Sequence, residues 1–340
     1  WEFCTRSLLK TALERLHNVA GVRLIAAFEH EFQLKHPPQI ENQAFGRRGF
    51  EVQRELCETL IGALAENGIS PDSIMREFGA NQYEVVIGPE EGVRAADAAV
   101  FVREMTYSIA RHFGEEATFT PIRNSAGVGN GVHIHMSFIN DADEPVTYDP
   151  DGPCGMSDIT DAFAAGVLKY LDRIIAFTAP SVVSYERLTP HRWSAAYNNL
   201  GFRDREASLR VCPVTSKDTS AIARQFNIEY RAADAAACPH LALGAVVHAG
   251  VQGIEDALKA PDPTEEDLSL LSPEALASRG FVRLPQSLET ALDKACNDDV
   301  VASWFPAEFL PVYRAHKEAE IAHLSDCDVE EKCRAYENTY

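Results

Sequence analysis

Carboxylates occupy alternate positions in the segment Phe28-Glu29-His30-Glu31-Phe32. In an extended strand, Glu29 and Glu31 point to one face while Phe28 and Phe32 point to the other. Two like charges side by side repel each other unless a cation lies between them. The pair therefore indicates a cation site, although an exposed edge strand would also tolerate it in water.

A second alternating segment follows a glycine-rich turn. From Val132 to Phe138, apolar residues alternate with His133, His135 and Ser137, so a strand would place the three polar side chains on one face. Burying two imidazoles is costly unless something binds them. The segment is either one wall of a ligand site or a half-exposed antiparallel strand whose solvent-exposed face is rich in histidine.

Carboxylates in other strand-like segments extend this set of possible metal ligands. The candidates are Glu29, Glu31, Glu77, Glu84, His133 and Glu229. Five carboxylates with one imidazole suit Mg²⁺ or Mn²⁺ better than Zn²⁺ or Cu²⁺. The residue types therefore predict a site for hard divalent cations.

The segment 181–211 is unusually basic for an acidic chain, with Arg187, Arg192, Arg203, Arg205 and Arg210. Such a cluster indicates an anionic ligand, although arginines often pair with surface acids. Divalent cations opposite arginines suit ATP-dependent phosphoryl transfer. The sequence contains neither a Walker P-loop nor a kinase-type glycine-rich loop.

The elements that must position these residues follow from the hydrophobic periodicity. It predicts strands at 22–34, 74–87 (two strands with a turn at 79–81), 132–138 and 227–231, and helices at 7–18, 50–67, 92–113, 159–179, 239–260, 288–297 and 308–336. No repeat or linker divides residues 1–340, which predicts one domain. We expect an α+β fold: a curved antiparallel sheet whose polar concave face carries the active site, with helices packed behind.

Composition restricts the class of protein. The net charge of −20 disfavours nucleic acid and anionic membrane as partners. No apolar run approaches the length of a membrane span, and the N-terminus does not resemble a secretory signal. The eight cysteines form no C-x-x-C pair, which predicts reduced thiols in a cytoplasmic protein.

Six motifs, in this order, resemble the catalytic domain of the glutamine synthetase family. They are Glu29-His30-Glu31-Phe32, Glu77 to Glu84, Gly129 to Ser137, Ser184 to Pro190, Arg203 to Arg210, and Ile228 to Arg231. The resemblance implies that ATP phosphorylates the γ-carboxylate of glutamate and that an amine then displaces phosphate. This order of reaction steps is physically sound, because a carboxylate is a poor electrophile whereas an acyl phosphate carries a good leaving group.

The resemblance also implies a role for each candidate residue. One metal would be held by Glu31, Glu77 and Glu84 and a second by Glu29, His133 and Glu229, with two or three Mg²⁺ or Mn²⁺ ions per site. Glutamate would be held by Arg187, by backbone near Gly129 and, at its γ-carboxylate, by Arg231. Arg205 and Arg210 would face the phosphates of ATP, with His135 and Ser137 at the nucleotide, and Arg205 and Arg231 would be the catalytic residues.

The family further implies a homo-oligomer of stacked rings. Family members usually carry an N-terminal β-grasp domain that completes the neighbouring subunit's site. We expect that domain to be absent from the chain as written.

One residue departs from the family pattern. Counting without gaps from Arg187 to Arg205, Trp193 stands where the family has its ammonium-binding glutamate. An indole offers ammonium only cation–π attraction and cannot take its proton, so Trp193 predicts a bulkier or less polar amine: an alkylamine, an aromatic amine or a polyamine. An aromatic amine fits best, because it is already neutral at pH 7. The alternatives are His191 as a substitute base, or a shifted alignment with Glu186 or Glu206 in the role.

Three functions follow from these expectations. The first is a γ-glutamyl-amide ligase acting on an organic amine. The second is an ammonia-using glutamine synthetase, which Trp193 disfavours. The third is a non-catalytic family member with a structural or regulatory role, which the complete set of six metal-ligand candidates disfavours.

Overall fold

Strand β1 (Arg23–Leu34) lies inside a nine-stranded sheet and carries Glu29 and Glu31. The computed structural model describes residues 1–36 and 44–340. Within those ranges the other strands are β2 (Pro71–Arg76), β3 (Gln82–Ile87), β4 (Glu90–Glu91), β5 (Ala117–Thr118), β6 (Val132–Ile139), β7 (Leu200–Phe202), β8 (Leu209–Val211) and β9 (Ile228–Tyr230). The strand order is β2-β3-β1-β6-β9-β8-β7, and β4 and β5 also pair with β1.

Helices account for most of the remaining described residues. They are α1 (Thr5–Ala20), α2 (Arg47–Glu51), α3 (Arg54–Glu66), α4 (Val93–His112), α5 (Asp158–Thr178), α6 (Ser184–Arg187), α7 (Thr219–Gln225), α8 (Pro239–Glu255), α9 (Pro273–Ser278), α10 (Leu288–Cys296), α11 (Asp299–Ser303), α12 (Phe309–His323) and α13 (Val329–Glu337). The predicted α+β class is confirmed.

The helices cover one face of the sheet. Along β1, buried residues alternate with half-buried ones from Arg23 to Glu31. The buried set, Leu24, Ala26 and Phe28, packs in the main core with residues of α1, α5 and α8. A smaller core joins β3 to α3 and α4. Because helices bury the apolar face, the polar residues of the same strands point to the opposite face.

One part of the sheet differs from the expected antiparallel arrangement. Strands β7 and β8 are parallel, with Leu200 opposite Leu209. A three-residue strand is only about 10 Å long, so the six residues between them can carry the chain back to its start. The basic stretch 181–211 has no alternation long enough to predict this pair.

Two other expectations need adjustment. The helix predicted at 50–67 is divided, because α2 ends at Glu51 and α3 begins at Arg54. Glu77 lies one residue beyond β2 rather than on a strand, and its N–H donates to the Gln82 carbonyl at 2.9 Å. This hydrogen bond closes the turn between β2 and β3, which holds Glu77 beside the strand face.

The described residues also bear on membrane and thiol chemistry. Among the helices in ranges 1–36 and 44–340, none combines the length and apolarity required to cross a membrane. All eight cysteines lie in these ranges and are free thiols.

Candidate active site

Strand register brings the predicted metal ligands together on the face opposite the main helical core. Glu31 lies opposite Glu84 on β3, and Glu29 lies opposite His133 on β6. On the other side of β6, His135 is paired with Glu229. Alternation alone could predict which face each residue shares, whereas this register depends on how the strands pair.

Two groups of side chains have ligand atoms close enough to share a cation. Glu29, Glu84 and His133 form one group, and Glu29, His135 and Glu229 form the other, with all ligand atoms of a group within 4.8 Å of one another. These groups overlap the two predicted sets without reproducing their division. Assignment of Glu31 and Glu77 to a metal stays a prediction.

The carboxylates beside Glu31 are electrostatically crowded. Burial, together with the charges of Glu29 and Glu31, raises the pKa of Glu84 to about 9. Burial and the charge of Glu31 raise the pKa of Glu77 to about 7. Ionising these carboxylates together would therefore require nearby positive charge, which a divalent cation would supply.

Glu229 lies in the opposite environment. Its side chain is fully buried, and it accepts hydrogen bonds from Arg210 and, at 2.5 Å, from Arg231 Nη1. Burial opposes ionisation, but Arg231 and His133 outweigh it and lower the pKa of Glu229. Glu229 therefore combines a structural ion pair with its candidate ligand role.

Two imidazole nitrogens on β6 are buried without a hydrogen-bond partner among the described residues. They are Nε2 of His133 and Nε2 of His135. His135 Nε2 lies 3.0 Å from Glu29 Oε1 but outside hydrogen-bonding orientation, while its Nδ1 contacts Asn227 Oδ1 at 2.8 Å. An unpartnered buried nitrogen is costly, so both atoms fit a cation or substrate that would complete their contacts.

The site face contains two cavities that meet at Glu29. The larger has an empty volume of about 1170 Å³, including the part open to solvent, and is lined by Glu29, Glu31, Glu77, Glu84 and His133 together with Gly129, Arg187, Trp193, Arg205, Arg210 and Arg231. The second has an empty volume of about 1050 Å³ on the same measure and is lined by Glu29, His135, Ser137 and Arg224. Every residue predicted for metal or glutamate thus lines the larger cavity except Glu229, and both residues predicted for the nucleotide itself line the second.

Glycines make room for the buried Arg187. A Cβ at Gly129 would come within 2.7 Å of Arg187 Cγ and Cδ, and one at Gly131 within 2.5 Å of its Nη2. Arg187 is 3% exposed, and within residues 1–36 and 44–340 its Nη1 has no hydrogen-bond partner. Burial lowers the pKa of Arg187, opposed in part by Glu31. A desolvated guanidinium facing a cavity is a strong site for a carboxylate.

Hydrogen bonds from neighbouring side chains hold the backbone N–H and carbonyl groups of Trp193. Its N–H donates to Glu206 Oε1 at 2.8 Å, and its carbonyl accepts from Arg231 Nη2 at 3.4 Å. Trp193 adopts a φ of 52°, which is unfavourable for a bulky residue. The indole itself is exposed to the larger cavity.

The alternatives to Trp193 lie elsewhere. His191 pairs with Asp267 at 2.7 Å, and both line a separate cavity with Glu206. The Glu206 carboxylate is occupied by the N–H groups of His191 and Trp193. In the described part of the chain, the lining of the larger cavity does not include His191, Glu206 or Glu186.

Sequence reasoning missed two residues of the larger cavity. Phe45 and Phe78 line it and are more than half exposed. Phe78 follows Glu77 directly, so a large apolar residue in a turn beside a predicted ligand was an available signal. Phe45 carried no comparable signal.

Similar proteins were found among families and curated sequences. The family described as glutamine synthetase, catalytic domain, matches residues 2–336. The γ-glutamylpolyamine synthetase GlnA3 of Streptomyces coelicolor is 31% identical over 88% of this chain and 65% of its own length. Type-1 glutamine synthetase 1 of Dictyostelium discoideum is 30% identical over 85% of this chain and 60% of its own. The chain thus spans slightly less than two thirds of the length of these two relatives.

A solved structure shares the whole fold. The protein described as a novel glutamine synthase homolog superposes with a TM-score of 0.90 at 39% identity, covering 100% of this chain and 76% of that one. With the family match over residues 2–336, this confirms the resemblance that the six motifs indicated. The chain belongs to the glutamine synthetase family, and its described fold is that of the family's catalytic domain.

Proposed function

We propose that this protein is an ATP-dependent ligase that joins the γ-carboxyl group of glutamate to an organic amine. The observation that carries the proposal is the exposed indole of Trp193 in the larger cavity, at the position where the family pattern has an ammonium-binding glutamate. The nearby carboxylate of Glu206 is engaged by backbone N–H groups and lines a different cavity. An apolar wall in this place favours an amine with a carbon substituent.

The donor set fits divalent metal ions. Burial and neighbouring carboxylates raise the pKa values of Glu77 and Glu84, so a divalent cation would stabilise their ionised forms, and among the described residues the buried His133 Nε2 has no hydrogen-bond partner. Glu29, Glu31, Glu77, Glu84, His133 and Glu229 would hold the ions. When bound, Mg²⁺ or Mn²⁺ supplies charge neutralisation for the phosphoryl group.

The chain's own residues would bind and orient the substrates. Arg187, buried with a free Nη1, suits a carboxylate of glutamate, and Arg231 suits its γ-carboxylate. Arg205 and Arg210 line the same cavity and suit the ATP phosphates. His135 and Ser137 line the adjoining cavity, which has room for the rest of the nucleotide.

The reaction balances in two steps. An oxygen of the γ-carboxylate takes the terminal phosphoryl group of ATP, which releases ADP and leaves an acyl phosphate. The lone pair of the amine then forms the C–N bond as the C–O bond to phosphate breaks, and the nitrogen loses one proton. That proton passes to the released phosphate or to water. Because Trp193 cannot take the additional proton that a cationic amine must lose before it attacks, an amine that is already neutral, such as an aromatic amine, suits this site best.

Phosphate release from ATP and glutamate tests the proposal. With Mn²⁺ and the full-length protein, organic amines should support faster release than ammonium at equal concentration. Turnover with ammonium alone would replace the proposal with an ordinary glutamine synthetase, a function that the Dictyostelium relative's name carries. Absence of both turnover and Mn²⁺ binding would instead favour a non-catalytic role.

A further inference from the structure

Exposed aromatic side chains are concentrated at one place on the described surface. Among large hydrophobic residues in ranges 1–36 and 44–340, the exposed aromatics are Trp1, Phe45, Phe78 and Trp193. Three of these four line the larger cavity. Scattered apolar residues need no explanation, but a group at the mouth of a polar cavity marks a binding surface.

The three aromatic side chains of the cavity, Phe45, Phe78 and Trp193, are carried by backbone that hydrogen bonds hold in place. The rings of Phe78 and Trp193 meet edge to face, with centroids 5.5 Å apart and an interplanar angle of 64°. The Phe78 N–H donates to the Glu77 carboxylate at 3.0 Å, and the Phe45 N–H donates to the Arg76 carbonyl at 3.0 Å. The apolar wall therefore begins one residue from a candidate metal ligand.

The backbone of this wall is held in an unfavourable conformation at two points. Phe45 has a φ of 56° and Trp193 a φ of 52°. Bulky side chains rarely adopt positive φ, and such strain persists where surrounding structure enforces it. Both residues present their rings to the cavity despite that cost.

The charges around the wall disfavour a second cationic group on the amine. Arg192 and Arg205 line the same cavity, and Arg192 is held there because its two Nη atoms donate to the Ser125 and Gly127 carbonyls at 2.7 and 3.0 Å. The carboxylates of the cavity belong to the candidate metal cluster, where divalent cations would neutralise them. Among the described residues, a distal ammonium group would thus face guanidinium groups without a carboxylate outside the candidate metal cluster, and cation–π attraction to the rings would be its only compensation.

We propose that Phe45, Phe78 and Trp193 form the subsite for an uncharged aromatic substituent on the amine nitrogen, and that Phe78 determines amine specificity. This inference rests on the proposed ligase function and names the substrate class within it. Edge and face contacts from three rings favour a planar apolar group over a small alkyl group. The polyamines used by one relative are disfavoured because of the arginines.

An amine panel with matched variants tests this subsite. Aniline, benzylamine, isopropylamine, putrescine and ammonium chloride are compared as acceptors with ATP, glutamate and Mn²⁺. The wild type should prefer aniline and benzylamine to putrescine in kcat/KM. Phe78→Ala should lower kcat/KM for the aromatic amines by about tenfold, mainly through KM, and leave the KM for glutamate unchanged. The kcat/KM of Phe78→Leu for the aromatic amines should lie between those of the wild type and Phe78→Ala.

Leu270→Ala serves as the control, because Leu270 is an exposed apolar residue outside the cavity lining. Preference for putrescine, or an unchanged benzylamine-to-putrescine ratio in Phe78→Ala, would overturn the aromatic subsite while the ligase function stands. If no organic amine exceeds ammonium in the wild type, the ligase proposal itself fails. Thermal melting of each variant separates loss of binding from loss of folding.

Discussion

Glu31 and Glu84 lie directly opposite each other on neighbouring antiparallel strands, with both carboxylates on the site face. Their negative charges repel each other. Burial and nearby carboxylates raise the pKa of Glu84 to about 9, so Glu84 retains its proton in the folded protein at neutral pH. The unfolded chain would release that proton near pH 4.5. Between these values the folded state binds more protons, so its stability falls as pH rises.

We therefore predict that the metal-free protein melts at progressively lower temperature from pH 6 to pH 8.5, and that Mn²⁺ stabilises it most at the alkaline end. Glu84→Gln should flatten the decline in EDTA. Glu55→Gln, which alters an exposed glutamate of α3, is the matched control. Thermal melts across this range check the prediction, and an equal slope for Glu84→Gln and wild type would contradict it.

Two candidate metal ligands should differ sharply in their structural role. Glu229→Gln should reduce the free energy of unfolding by about 3 kcal/mol in EDTA, because Arg210 and Arg231 would lose a buried ionic partner. Glu77→Gln should leave it unchanged or raise it slightly at pH 8, because burial and Glu31 raise the pKa of Glu77 to about 7. Urea unfolding measures both. Equal losses would show that the ion pairs of Glu229 contribute little.

Arg187 can be displaced without being mutated. A Cβ at Gly129 would meet Arg187 and the Pro121 carbonyl at 2.7 Å, so Gly129→Ala should push the guanidinium from its place. We expect KM for glutamate to rise about tenfold or more, with a smaller effect on KM for ATP. Arg187→Lys should behave similarly. Gly62→Ala is the control, since its added Cβ would meet nothing within 4 Å.

Restoring a carboxylate at residue 193 should redirect the enzyme. Trp193→Glu is predicted to raise the ratio of kcat/KM for ammonium to that for organic amines by about tenfold or more, because a carboxylate can bind ammonium and take its proton. Trp193→Phe keeps an apolar wall and should retain the wild-type preference. Steady-state phosphate release with each amine is the measurement. An unchanged ratio in Trp193→Glu would remove the basis for the organic-amine proposal.

Much of the site could be predicted because its strands alternate regularly. Polar residues at every second position of β1 and β6 indicated a shared face, and residues of that face line the two cavities. What alternation could not supply was the register that sets Glu29 opposite His133, because register depends on pairing between strands distant in sequence.

The segment after α6 was less predictable. The three-residue strands β7 and β8 are too short to show a period, and their parallel pairing runs against the antiparallel remainder. Hydrogen bonds from the His191 and Trp193 N–H groups to Glu206 are likewise a tertiary feature without a motif. The sequence nevertheless indicated Trp193, because a resemblance to a family makes departures visible.

The hold of Glu206 on the loop has a consequence for how such enzymes diversify. Its carboxylate accepts hydrogen bonds from the main-chain N–H groups of residues 191 and 193 outside the larger cavity, and any residue other than proline at position 193 retains that N–H group. The strands with the candidate metal ligands do not include residue 193. On the proposed function, one substitution there would exchange one nitrogen donor for another while the phosphoryl chemistry is inherited, so acceptor choice would evolve separately from that chemistry.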